Sequence, residues 1–62
     1  MTPEECAIAK QALESALFSD RVIAMAWSTS KTEFGREQQQ RHTARAEALE
    51  KVIALVEGQC QP

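Results

Sequence analysis

The chain has 62 residues, 27 of them apolar, and ten of the apolar residues are alanine. Beyond Met1 and two cysteines, fourteen Val, Ile, Leu, Met, Phe and Trp side chains remain, too few for an enzyme core with a deep pocket; chains this small usually depend on disulfides, metal or oligomerisation. Seven basic residues face nine acidic ones, a net charge of −2 that does not by itself imply nucleic-acid binding.

The chain opens with Thr2-Pro3-Glu4-Glu5, a helix start in which Thr2 caps the amide of Glu5 and Glu5 reaches back to form a capping box. This opening is acidic and has no apolar run of the kind a signal peptide carries. From Cys6 to Trp27 there is no Gly or Pro, and Ala, Leu, Lys, Gln and Glu dominate. Cys6, Ala9, Leu13, Ala16, Ile23 and Trp27 recur three and four apart, with Asp20 as the charged member of the series, and this spacing predicts a helix over residues 3–27. Its longest apolar run, Val22–Trp27, is six residues, against about twenty for a membrane span. A cytoplasmic protein that avoids the membrane is expected.

Ser28-Thr29-Ser30-Lys31-Thr32 follows, and its hydroxyl residues favour caps and turns over helix interior. Ser30 with Glu33 is one candidate capping box for the next helix, and Thr32 is the other candidate cap. Gly35 then falls in the first turn. The second helix is predicted over residues 33–57, with its apolar series at His42, Ala46, Leu49, Ile53 and Val56, flanked by Ala48, Val52 and Leu55. Gly58 stands where a left-handed C-cap belongs, leaving residues 58–62 as a short tail. The fold class is all-α, an antiparallel two-helix hairpin in one domain, with a single continuous coiled coil as the alternative.

With the turn centred near residue 30, residues facing each other have numbers that add to about 61. Leu13, Leu17, Leu49, Val52, Ile53 and Val56 then form a sound core toward the termini. Toward the tip, Phe18, Val22, Ile23, Met25 and Trp27 oppose Gln38, Gln39, Arg41, His42 and Arg45. At about 100° per residue, Ile23 and Trp27 point one way, and Phe18, Val22 and Met25 point nearly the opposite way. One hairpin partner covers one of these faces, so the other marks an interface. It suits a homodimer closing a four-helix bundle, or a docking face for another protein. Charge favours antiparallel dimer packing, because residues 1–20 sum to −3, residues 21–45 to +3 and residues 46–62 to −2.

Individual residues support no catalysis. Asp20 is placed opposite Arg41, as a groove-edge pair or as a buried ion pair. His42 has no second histidine and no nearby cysteine, so it reads as a hydrogen-bonded interface residue whose association can respond to pH, and not as a metal ligand. Cys6 is expected to act as a small hydrophobe and Cys60 as a free thiol, with a disulfide as the alternative. Trp27 and Phe34 flank the turn and are expected to pack on each other. Ser28–Ser30 have no base to activate them. Arg36, Arg41 and Arg45, with Gln38–Gln40 and Lys31, form the basic surface on which an RNA- or DNA-binding alternative rests. The function expected is a non-catalytic adaptor or small inhibitor that binds a protein through the second half of the first helix, with no cofactor. The expected interface residues are Phe18, Val22, Ile23, Met25, Trp27, Phe34, Arg41, His42 and Arg45.

Overall fold

A computed structural model describes residues 1–60. It is a helical hairpin of α1 (Pro3–Trp27) and α2 (Glu33–Cys60), packed against each other along their length and measuring 48 × 14 × 11 Å between Cα atoms. The continuous coiled coil is therefore excluded.

The start of α1 follows from four residues. Thr2 Oγ1 accepts from the Glu5 amide at 3.1 Å, and the Glu5 carboxylate accepts from the Thr2 amide at 2.8 Å. The Thr2 backbone hydrogen bond, aided by its hydroxyl, holds the Glu5 carboxyl below its ordinary value. At the far end the Ser28 amide returns to the Met25 carbonyl at 3.1 Å, and the Ser28 hydroxyl donates to the same oxygen at 2.6 Å. These bonds close the last turn and release the chain.

Of the two candidate caps for α2, Thr32 is the one used. Its Oγ1 accepts from the Gly35 amide at 3.0 Å, while Ser30 Oγ accepts from the Thr32 amide at 3.3 Å. Gly35 is buried under this knot. A β-carbon there would run into the Ser30 side chain and stand 3.1 Å from Thr32 Oγ1. Compactness of the turn, and not an unusual φ, therefore requires glycine at this position.

The end of α2 departs from expectation. Gly58 is helical, no glycine has positive φ, and α2 continues through Cys60. The left-handed cap and the tail from residue 58 are thus corrected, and residues 61 and 62 lie outside the described residues. Cys60 explains the extension, because it is disulfide-bonded to Cys6 with the two Cα atoms 6.0 Å apart. That tether holds the last turn against α1 and outweighs the ~1 kcal/mol helix penalty of glycine. The separate thiols expected for Cys6 and Cys60 are corrected by the same bond.

The helix register differs from a sum of 61. Asp20–His42, Asp20–Arg45, Cys6–Cys60, Lys10–Glu57 and Arg21–Glu50 have numbers adding to between 62 and 71. At the tip Trp27 still meets Phe34, a sum of 61, and the sum grows toward the base. Cys6 and Cys60, whose numbers add to 66, are brought level in this register.

The seam is thin. Ala46 and Ile53, at 6% and 8% exposure, are the buried apolar side chains among the described residues, and no large side chain is fully enclosed. Leu13, Leu17, Leu49 and Val56 are half-buried. Val52, expected in the core, is exposed. It stands about 100° around the helix from buried Ile53, which turns it off the seam toward the side of the hairpin.

Candidate interaction surface

The residues that stand out are the large apolar ones left uncovered. Phe18, Val22 and Met25 are spaced i, i+4 and i+7, which stacks them as one ridge on α1. Because Asp20 and Trp27 point into the seam, this ridge faces away from α2. Phe18 and Met25 are 70% and 73% exposed. Ile23 sits at the seam edge. Trp27 is half-buried and meets Phe34 edge-to-face, with centroids 5.6 Å apart and planes at 83°. Phe34 closes the tip of the hairpin through this contact, although much of its ring stays exposed.

Inside the seam lies a polar cluster. Asp20 is 4% exposed, and its Oδ1 is 2.8 Å from His42 Nδ1. Arg45 Nε stands 3.5 Å from Oδ2, too poorly aligned to bond, and Oδ2 has no hydrogen-bond partner. The pairing with Arg41 is thus corrected: the register shift moves Arg41 past Asp20 and brings His42 and Arg45 to it. Arg41 itself is exposed. His42 is turned inward toward its own chain, and the Arg45 side chain remains mostly in solvent. Such a cluster selects a helix register, since slippage by a turn would leave the aspartate buried alone.

The charged groups are distributed unevenly around the hairpin. Lys10 reaches Glu57 at 3.9 Å and Glu14 at 4.0 Å, and Arg21 pairs with Glu50. Both inter-helix pairs lie on one side of the α1–α2 plane. Half-exposed pairs of this kind contribute about 0–1 kcal/mol each, so they mark the wet side more than they stabilise it. On the opposite side are Ile8, Ile23 and Val52, all exposed, while Leu55, two residues from buried Ile53, points away from α1. This second apolar face escaped the sequence reasoning. Its signal is Val52, which stands at the margin of the α2 apolar series rather than within it.

At the base of the hairpin a shallow dent of about 260 Å³ is lined by Cys6, Ala7, Lys10, Val56, Glu57 and Cys60. Its cysteines are consumed in the disulfide, and its lysine and glutamate pair with each other. Among the described residues no three His, Cys, Asp or Glu side chains come together as a metal site. No described helix is long and apolar enough to cross a membrane. No family model, curated protein or solved structure matches the chain.

Proposed function

We propose that this chain is a non-catalytic protein–protein interaction module, an adaptor or small inhibitor that works by covering part of a partner's surface. The observation that carries this reading is the exposed ridge of Phe18, Val22 and Met25 on a helix whose other face is already occupied by α2. Burying three such side chains releases on the order of 1.5–3 kcal/mol each, the main favourable contribution this surface offers a partner. A further part of the reading is that the hairpin works as a homodimer completing a four-helix bundle, with a polar side of ion pairs facing water. The scarcity of buried apolar side chains within one hairpin supports this.

The nucleic-acid alternative draws less support. Arg45 is directed at Asp20, and the accessible aromatic near the basic stretch, Phe34, is engaged with Trp27. The test is capture from source-cell extract on immobilised wild-type protein beside Met25→Asp, Phe18→Asp and the double variant Arg41→Ala/Arg45→Ala. Protein binders retained by the arginine variant and lost by both ridge variants are the predicted result. Retention of nucleic acid alone, eluted by salt and lost with the arginines, would overturn the reading.

A further inference from the structure

The last turn of α2 is helical against its own local chemistry. Glu57, Gly58 and Gln59 are exposed, and a β-carbon at Gly58 would meet nothing within 4 Å, so nothing packs against the turn there. Glycine is the poorest helix former after proline. The turn as described holds no basic residue, and Glu57 sets a negative charge beside the negative end of the helix dipole. Lys10 stands 3.9 Å from Glu57 with both side chains half in solvent, a pair too weak to fix a helix end. What remains is the Cys6–Cys60 bond, which ties this turn to the first turn of α1 with the Cα atoms 6.0 Å apart.

We infer that this bond is a redox latch on the end of α2. With the bond closed the helix runs through Cys60; with the bond reduced the helix stops at Glu57 and Gly58 takes up a left-handed cap. Gly58 has both states within reach. Glycine enters the left-handed region without the steric penalty that other residues meet, and a cap there returns backbone amides to the carbonyls of the last turn.

The latch is open to a reductant. Cys6 and Cys60 are half-buried, and both line the shallow dent at the base of the hairpin. A small dithiol reaches the bond there without prior unfolding. One thiolate of the dithiol attacks a sulfur of the bond and expels the other cysteine as a thiolate; the second thiol then displaces the captured cysteine. The two thiols of the reductant end as a disulfide, and the two electrons and two protons they give up leave Cys6 and Cys60 as thiols. The device is confined to the base. Phe18 stands twelve residues from Cys6, about 18 Å along α1, so the latch does not depend on the docking reading of the ridge.

Helix and bond are thereby linked. A change that favours helix at residue 58 favours the closed bond, because only the oxidised chain is helical there. Gly58→Ala should raise the equilibrium constant for closing the bond about four- to fivefold, the difference in helix propensity between the two residues. If residue 58 were helical in both redox states, the substitution would stabilise both equally and leave the constant unchanged.

The experiment takes two readouts at about 10 °C, close to the temperature at which small domains are most stable. Backbone carbon chemical shifts report helix residue by residue in oxidised wild type, in wild type with excess dithiothreitol, and in Cys6→Ser kept in the same reductant. That last substitution lies on α1 and leaves the sequence of α2 intact. Helical shifts should run through Cys60 in the oxidised chain. In the other two samples they should end at Glu57, while residues from Glu37 to Ile53 keep theirs. The oxidised fraction in buffers of fixed reduced-to-oxidised dithiothreitol ratio then gives the closing constant for wild type and Gly58→Ala.

Helical shifts through Cys60 without the bond, or an unchanged constant in Gly58→Ala, overturn the inference. So does loss of helical shifts along the whole of both helices on reduction, since the bond would then govern the entire fold and not its last turn.

Discussion

Breaking the Cys6–Cys60 bond should remove a large share of the stability of the hairpin. The bond joins residues separated by 54 positions, so it closes nearly the whole chain into a loop. Restricting the unfolded chain to a loop of that size contributes about 4 kcal/mol at 25 °C in the chain-entropy treatment. Folded chains of this length are stable by roughly 3–9 kcal/mol in total. Here the apolar seam buries little beyond Ala46 and Ile53, so a value in the lower half of that range is expected, most of it supplied by the bond. The unfolding entropy for 62 residues is about 0.13 kcal/mol/K, which converts a loss of 4 kcal/mol into a fall of about 30 °C in Tm. The assay is thermal melting by circular dichroism at one fixed protein concentration. It compares oxidised wild type, wild type in reductant, and Cys60→Ser. If both perturbations move Tm by less than about 5 °C, the ends of the helices are held by packing and the tether is incidental.

Glycines at the two ends of α2 should respond with opposite signs. Gly35→Ala places a methyl group against Ser30 and should destabilise by about 1–3 kcal/mol in urea titration, although alanine is the better helix former. Gly58→Ala meets nothing within 4 Å and should stabilise by about 0.5–1 kcal/mol; equal effects at the two sites would contradict the turn geometry. Asp20→Ala should cost about 1–3 kcal/mol, less than a fully buried ion pair, because Arg45 can return to water. Replacing Asp20 and His42 together by leucine should be neutral or stabilising in the same titration, since the unpaired Oδ2 disappears with the carboxylate. The Glu5 carboxyl has its folded pKa lowered from 4.5, so the stability it contributes is present above that value and fades as pH falls through the folded pKa. Titration of Glu5 by carbon NMR should give a midpoint below 4.5 that rises toward it in Thr2→Ala.

What could be read in the residues, and what could not, divides along a physical line. Local chemistry was legible. Thr2, Pro3 and Glu5 specify a helix start within four residues, and the three-and-four spacing from Cys6 to Trp27 needs no distant information. The opposed faces of α1 also followed from periodicity alone, and Phe18 and Met25 are indeed exposed. Quantities set by two segments at once were less legible. The pairing of Asp20 depends on the register between the two helices, and a shift of a few residues exchanges Arg41 for His42 and Arg45. The same shift brings Cys6 and Cys60 together, and their bond then overrides the local preference of Gly58 for a helix stop. The second apolar face was hidden for a related reason. Ile8, Ile23 and Val52 look like the margins of two separate helices until the ion pairs show which sides of those helices lie together.

The central claim is that one hairpin is an incomplete body whose uncovered apolar surface is half of an interface. Sedimentation equilibrium of the oxidised wild-type chain across a hundredfold concentration range tests it most directly. The account predicts a mass near twice 6.9 kDa that falls toward 6.9 kDa as the chain is diluted. A constant mass of 6.9 kDa throughout, with full helicity and a sharp melting transition, would show that the hairpin is complete alone and would contradict it.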